Sequence, residues 1–465
     1  MFTIDEKSNI SLYTQLYSQI RTKILKGDIK PGTKLPSSRK LSTELQISRN
    51  TVQTAYEQLF AEGFLLSRPR SGYYVEDFDQ GILNRTQVTY SGKTAPDKRK
   101  TPSCKYDFQY GKLASAELPF SEWRKLTNKC LREYRENLAG YGPAFGETGL
   151  KAEILKYLHD YRDVNCTVDQ IVIGAGTQFC LGLVCQLLGA KGSAIALEEP
   201  GYDKSRSTFL NYGYEVCPVR LDKNGLSVKK LDETRAAAVY VTPSHQYPTG
   251  VIMPMSRRLE LVDWAIRHDT MIIEDDYSCH LRYNMKPIPC LQSLCSDKVI
   301  YIGSFSKFIF PSMRVSYMVL PQDLMGSLNN MCGDFPSFVP FMIQKPLELF
   351  MKEGYWESYL RKTTRQQKKK SGILVNALKS EFGNKISISG MNAGLHLLVQ
   401  VNWPMEEEEL ISRALRMGVK IYPTSKYWSF PHKSPYGTVL LGFGEIAPEH
   451  IPPAVRLLRK AWLGI

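Results

Sequence analysis

In the stretch GSFSKFIFPSMR, Gly303 to Arg314, Lys307 follows Ser304 and Ser306 and precedes Arg314 by seven places. A lysine amine held in such a loop can add to an aldehyde carbon, and the two serines and the arginine can bind a dianionic phosphate. Three other short stretches carry complementary chemistry. GAGTQFCLGL, from Gly174, puts Gly176, Thr177 and Gln178 where a strand yields to a helix, so that backbone N–H groups and a hydroxyl can face a phosphate. EEPGYD offers Tyr202 after a Pro-Gly bend, an aromatic plane able to stack on a flat heterocycle. IIEDDY closes an apolar run with Asp275, Asp276 and Tyr277. A carboxylate there, paired with a ring N–H, stays ionised and keeps the ring protonated. Each stretch alone is commonplace: turn glycines, a surface tyrosine, a solvated lysine. Taken in order, a phosphate cradle, a stacking ring, a carboxylate for a pyridine nitrogen and a lysine for an imine are what pyridoxal 5′-phosphate requires.

The elements that must position these groups are legible from Tyr106 onward. QIVIGAG, SAIALEEP, AAAVYVTPS, TMIIEDDY, KVIYIGSFSK and VSYMVLP are apolar, β-rich runs, each ending in a polar turn or helix. This spacing predicts a mainly parallel sheet with helices on both faces, whose chemistry lies at the strand ends. PMEEEEL, 404–410, reads as the first turn of a helix, where carboxylates favour the positive dipole end. RKTTRQQKKK, 361–370, reads as the solvated face of a long helix.

The first seventy-six residues follow a different pattern. SLYTQLYSQIRTKILKG, 11–27, places Leu12, Leu16, Ile20 and Ile24 every fourth position before Gly27 and predicts an amphipathic helix. A second short helix follows Pro31-Gly32, capped at Ser37 or Ser38, with Leu41 and Leu45 inward. A third begins after Ser48, with Ile47, Val52, Tyr56, Leu59 and Phe60 on its buried side. Two short helices joined by a tight turn make a helix-turn-helix. The outward residues Arg49, Asn50, Thr51 and Gln53 suit base edges and phosphates. GFLLSRPRSGYYVED then alternates as a hairpin, with Arg68, Arg70 and Gly72 at its turn, in the manner of a wing that reaches a groove.

Between head and body, residues 77–105 are polar and rich in Lys and Pro, a connector whose flexible span is roughly 30 Å. The expected division is thus 1–76, 77–105 and 106–465. The chain of 465 residues carries a net charge of +14, which favours a polyanionic partner. The head holds eleven Lys and Arg against seven Asp and Glu, so the excess is spread along the chain. Ten cysteines form neither a C-x-x-C pair nor a Cys/His cluster, so no disulfide framework and no metal site is expected. With no apolar run long enough to span a membrane and no signal-peptide pattern at the start, the cytoplasm is the expected compartment.

Residues 8–76 resemble the winged helix of GntR-type bacterial regulators, through PGTKLPSSRKLS, ISRNTVQTAY and the hairpin. That resemblance implies double-stranded DNA as a partner, contacted by Arg39, Ser48, Arg49, Asn50, Thr51 and the wing. Residues 106–465 resemble fold-type I aminotransferases. The order of head, connector and body resembles the MocR subfamily of GntR regulators, which includes GABA-responsive and pyridoxal-phosphate-responsive activators. The motifs carrying this are EEPGY, TPSHQYPTG, IIEDDY and GSFSK with the MR and SYMVLP that follow. The implied roles are a Schiff base at Lys307, the pyridine nitrogen at Asp275, the 3′-oxygen at Tyr277 and the ring face at Tyr202. Gly176, Thr177, Gln178, Ser304, Ser306 and Arg314 hold the phosphate, joined by Tyr141 from a second subunit of a homodimer. Two departures stand out. Aminotransferases usually read N-P-T-G where this chain has YPTG, so Tyr247 replaces the asparagine, with Gln246 or His245 as substitutes. Leu440 and Leu441 stand where a common pattern has an arginine for the substrate carboxylate, which leaves Lys204, Lys426 and Arg282 as candidates for an effector. The expectation is a regulator that senses pyridoxal phosphate or an amino compound, in preference to a working aminotransferase.

Overall fold

The computed structural model describes residues 2–5, 7–77, 104–189, 193–283 and 288–464. The chain divides into two compact units, Met1–Lys100 and Thr101–Ile465. Residues 78–103, most of the expected connector, lie outside the described residues.

In the first unit, helices α1 (Leu12–Leu25), α2 (Ser38–Leu45) and α3 (Arg49–Ala61) precede strands β1 (Leu65–Arg68) and β2 (Gly72–Val75). The fourfold spacing read from the sequence builds the core: Leu16, Ile20 and Ile24 from α1 meet Leu41, Val52, Tyr56 and Leu59. Ser37 caps α2 by accepting from Lys40 N, and Ser48 caps α3 by accepting from Thr51 N. The hairpin is antiparallel, Leu65 opposite Val75 and Arg68 opposite Gly72. One expectation fails. Phe60 is 47% exposed, because Val52, Ala55, Tyr56 and Leu59 already complete the inward stripe of α3 and position 60 falls beyond it.

In the second unit, helix α4 (Thr148–Arg162) leads into an eight-stranded sheet. Its strands are β3 (Ile171–Gly174), β4 (Ala194–Glu199), β5 (Glu215–Asp222), β6 (Gly225–Leu226), β7 (Ala236–Val241), β8 (Met271–Asp275), β9 (Val299–Ser304) and β10 (Ser316–Val319). The order across the sheet is β3-β10-β9-β8-β7-β4-β5-β6. The five central strands from β9 to β5 run parallel, and β10 and β6 are antiparallel to their neighbours. Strands β3, β8, β9 and β10 are buried on both faces almost throughout, which is why they read as unbroken apolar runs. The helices include α5 (Thr177–Leu188), α6 (Asp203–Asn211) and α7 (Met255–Arg267), and they cover two separate core clusters.

A long helix α8 (Tyr355–Phe382) leads to a four-stranded antiparallel sheet of β11 (Ile386–Ser389), β12 (His396–Val401), β13 (Tyr422–Pro423) and β14 (Thr438–Gly442). Helix α9 (Glu407–Arg416) carries Glu407, Glu408 and Glu409 in its first turn, as its sequence predicts. All ten cysteines are free thiols, and no helix among the described residues is long and apolar enough to cross a membrane.

The basic run 361–370 lies on α8, but Thr363, Gln367 and Lys370 turn inward at helical spacing. The Lys370 ammonium is buried, 2.7 Å from a Glu117 carboxylate oxygen and donating to the Gly444 carbonyl at 2.7 Å. Removing one partner of a buried pair strands the other, at about 3–5 kcal/mol. Lys370→Met is therefore expected to lower the unfolding free energy by about that much. The double variant with Glu117→Gln should regain part of the loss in urea denaturation.

Candidate cofactor pocket and nucleic-acid interface

The C-terminal ends of the parallel strands converge on a pocket of about 310 Å³, lined by Tyr110, Thr177, Tyr202, Tyr240, Thr242, Tyr247, Asp275, Tyr277 and Lys307. Asp275 is the last residue of β8 and pairs in register with Ile302 on β9. Lys307 follows β9 by three residues, in the turn that precedes β10. Sheet pairing thus brings a carboxylate and an amine from distant positions to one wall.

The sequence left Asp275 and Asp276 as neighbours with similar chemistry, and the fold separates them. Asp276 accepts from Arg162 Nε at 2.7 Å and from the Tyr301 hydroxyl at 2.7 Å. The Arg162 guanidinium is a chief cause holding its carboxyl down at about 2 against the opposing effect of burial. Asp275 lines the pocket; its Oδ2 accepts from the Tyr240 hydroxyl at 2.6 Å and its Oδ1 has no hydrogen-bond partner. Burial pushes Asp275 up to about 6, and the same cause brings the Lys307 amine down to about 8, with Asp275 opposing and Arg314 adding to the fall. The Lys307 Nζ sits 4.2 Å from the Tyr110 ring centroid and 5.8 Å from that of Tyr277.

Gly176 caps α5 with φ +95°, and a Cβ there would lie 2.3 Å from Arg314 Nη2. Glycine is what lets the guanidinium approach the N-terminus of α5, where Thr177 and Gln178 are the first two residues. Ser304 Oγ accepts from Ser316 Oγ at 3.0 Å and from Ser306 N at 3.3 Å, while Ser306 Oγ donates to the Val315 carbonyl. Of the expected phosphate group only Thr177 lines the pocket itself. The Tyr277 hydroxyl donates to the His245 carbonyl at 2.8 Å and lies 3.1 Å from His245 Nδ1. His245 is the substitute that reaches Tyr277; Gln246 is spent on Glu198, Pro200 and Thr249. Tyr247 lines the pocket, and its hydroxyl donates to that of Tyr427 at 2.6 Å. Tyr202 lines it too, set edge-on to Tyr247 at 5.7 Å.

The three effector candidates do not join this wall. Lys204 is exposed and 3.8 Å from Asp203, Lys426 lies over the Tyr427 ring at 4.9 Å, and Arg282 forms a backbone bridge with Ala393 near Asp276 and Arg162. Tyr141 is 94% exposed on this single chain, beside a hollow shared with residues 333–336. Tyr110, Tyr240 and Arg162 escaped the sequence reading. Tyr240 left a trace, a lone hydroxyl inside the apolar run AAAVYV, whereas Tyr110 and Arg162 belong to no motif and are recruited by the fold.

On the head, Arg39, Arg49, Asn50, Arg68 and Arg70 are exposed. Arg49 Nε reaches Ser38 Oγ at 3.4 Å, Gln53 donates to Glu57, and the Arg68 guanidinium stands 4.5 Å from the Tyr74 ring centroid. Arg70 takes φ +60° at the hairpin tip. The Ser48 and Thr51 hydroxyls are 2.8 Å apart and engaged in the helix cap.

Fold and sites together define a winged-helix head joined to a body built like a pyridoxal-phosphate-dependent aminotransferase. The model of bacterial regulatory proteins of the gntR family matches residues 12–75. The HTH-type transcriptional regulator YdeL of Bacillus subtilis is 38% identical, over 98% of this chain and 97% of its own. The probable rhizopine catabolism regulatory protein MocR of Rhizobium meliloti is 32% identical over 100% and 96%. Among solved structures, the α-aminoadipate aminotransferase LysN of Thermus thermophilus, complexed with N-(5′-phosphopyridoxyl)-L-leucine, matches with a TM-score of 0.68 and 26% identity, over 77% of this chain and 92% of its own. The chain belongs to the MocR subfamily of GntR-type, DNA-binding transcriptional regulators.

The raised pKa of Asp275 has a definite sign. Folding lifts it from 3.8 to about 6, so the unfolded chain loses this proton first and stability falls as pH rises between those values. The difference is worth roughly 3 kcal/mol at neutral pH. Melting temperatures of the ligand-free protein should accordingly show Asp275→Asn more stable than the parent at pH 7, with the difference shrinking towards pH 4.

Proposed function

We propose that this regulator binds double-stranded DNA as a homodimer through its winged helices. Its affinity for DNA is set by pyridoxal 5′-phosphate, and by amino compounds that meet it, in the pocket of Lys307. The observation that carries the reading is Asp275: a buried carboxylate on the pocket wall with one oxygen unpartnered, in a pocket also lined by a desolvated lysine. A buried acceptor without a donor is costly unless a ligand satisfies it, and a protonated ring nitrogen is a donor that also holds the carboxylate ionised.

The residues present fit the cofactor. Lys307 would hold its aldehyde carbon, Asp275 its ring nitrogen, Tyr277 with His245 behind it the 3′-oxygen, and Tyr202 the ring face. Gly176, Thr177, Gln178, Ser304, Ser306 and Arg314 would take the phosphate, with the partner subunit's Tyr141 closing the site. Bound there, pyridoxal phosphate supplies an electrophilic aldehyde carbon that captures primary amines. The chain's own contribution begins with Lys307. With its pKa brought to about 8, roughly a tenth of the amine is neutral at pH 7, far more than for a lysine in water. Tyr240 orients the Asp275 carboxylate so that Oδ1 stays free. Arg162 pairs with Asp276 next to it, which offsets part of the repulsion between the two carboxylates. Ligand in the pocket alters DNA binding only by its difference in affinity for the two states of the protein.

In the head, Arg39, Arg49 and Arg70 supply phosphate contacts, Asn50 and Gln53 reach base edges, and Arg68 works from the wing. Ser48 and Thr51 hold the first turn of α3 in shape. Arg70→Ala should weaken DNA binding for every sequence alike. It should also make the dependence of log affinity on log salt shallower by about 0.9, measured by fluorescence anisotropy across a salt series.

The pocket reading is tested by titrating pyridoxal phosphate into the protein while following visible absorbance and DNA binding in one sample. The wild type should develop an absorbance band and a change in DNA affinity together, and Lys307→Ala should lose the band. An unaltered spectrum in the wild type would sink the reading.

A further inference from the structure

Five of the nine residues that line the pocket are tyrosines, and leucines pack behind them. Leu440, fully buried on β14, stands in one cluster with Tyr247, Tyr277, Leu398 and Tyr427. It faces Leu398 across β12, whereas a guanidinium there would have given a carboxylate a forked partner. The tyrosine rings are interlocked: Tyr247 lies 4.9 Å from Tyr427, 5.1 Å from Tyr110 and 6.0 Å from Tyr277. Their hydroxyls are neutral, since burial raises the pKa of each.

Cations are correspondingly scarce. Lys307 is the one cation among the described lining residues, and its charge already rests on the Tyr110 ring. Arg282 keeps one unpartnered nitrogen, Nη2, but does not line the pocket. A ligand carboxylate brought against the tyrosines would lose its water without gaining a counter-charge, while Asp275 adds a like charge on the same wall.

We propose that this pocket selects primary amines with an apolar or aromatic body and no carboxylate, and that such amines, in preference to α-amino acids, are the small molecules to which the regulator responds. The proposal rests on the reading of the pocket as a pyridoxal phosphate site. Tyrosine rings offer faces and edges to a hydrocarbon or aryl group, and behind them Leu440 supplies no partner for a polar head.

The test uses the full-length protein loaded with pyridoxal phosphate and two matched pairs of probes: 2-phenylethylamine against phenylalanine, and 3-methylbutylamine against leucine. Each pair differs only in the carboxylate. The absorbance of the loaded protein and its affinity for DNA are followed as each probe is added. Each amine should half-saturate the spectral change at a concentration at least about tenfold below that of its amino acid, and should shift DNA affinity where the amino acid does not. Leu440→Arg should cut that preference by about tenfold or reverse it. The wild-type comparison stands even if the variant does not fold. An amino acid that binds as well as its amine, and loses that affinity in Arg282→Met, overturns the proposal and gives the carboxylate to Arg282. A loaded protein that ignores both members of each pair overturns it too, and leaves the pyridoxal phosphate reading in place. Failure of the wild type to take up pyridoxal phosphate removes both.

Discussion

The pairing of β8 with β9 is the constraint on which the body of this protein depends. It fixes Asp275, at the end of one strand, beside the strand that delivers Lys307 three residues later. Both groups are desolvated, and each is displaced towards its neutral form, the acid upwards and the amine downwards. Neither shift would survive in water. They require buried strands on either side, and those strands are apolar on both faces because helices cover them. The sheet that makes the core is therefore also what makes the chemistry of the pocket.

Keeping two adjacent carboxylates buried needs an answer for each. Asp276 is answered within the chain, by Arg162 from α4 and by Tyr301 from β9. Each keeps one oxygen unpartnered, but Asp275 is answered only by a neutral hydroxyl, that of Tyr240 from β7. The asymmetry follows from strand geometry, since successive side chains point to opposite faces. Asp276 meets the face packed against α4, and Asp275 meets the pocket. One Asp-Asp step thus yields a locked structural charge and an available one.

The sequence carried most of this where a motif and a period coincide. The six apolar runs mark strands because a doubly buried strand must be apolar throughout, and the fourfold leucine and isoleucine spacing of α1 marks the head for the same reason. What stayed hidden is what only distance in three dimensions can reveal. Tyr110 comes to the Lys307 amine from nearly two hundred residues away, and nothing in its own neighbourhood signals the meeting. Lys370 sits in a run that looks solvated, yet the helical period carries it inward to Glu117. Composition counts charges without saying which way a helix turns them.

The head shows the same division between a residue type and its use. Ser48 and Thr51 carry hydroxyls that suit DNA, but the capping geometry has already spent them on the first turn of α3. Their side chains serve recognition by fixing the helix that presents Arg49 and Asn50, which remain exposed. In the body, Tyr277 stands in a comparable relation to His245, whose carbonyl and ring nitrogen are both within reach of its hydroxyl. With His245 kept neutral by burial, its pKa down at about 3, the hydroxyl has the carbonyl on one side and a ring nitrogen on the other. A ligand oxygen arriving at Tyr277 must compete with the carbonyl for its proton. The strength of that contact is therefore set by His245.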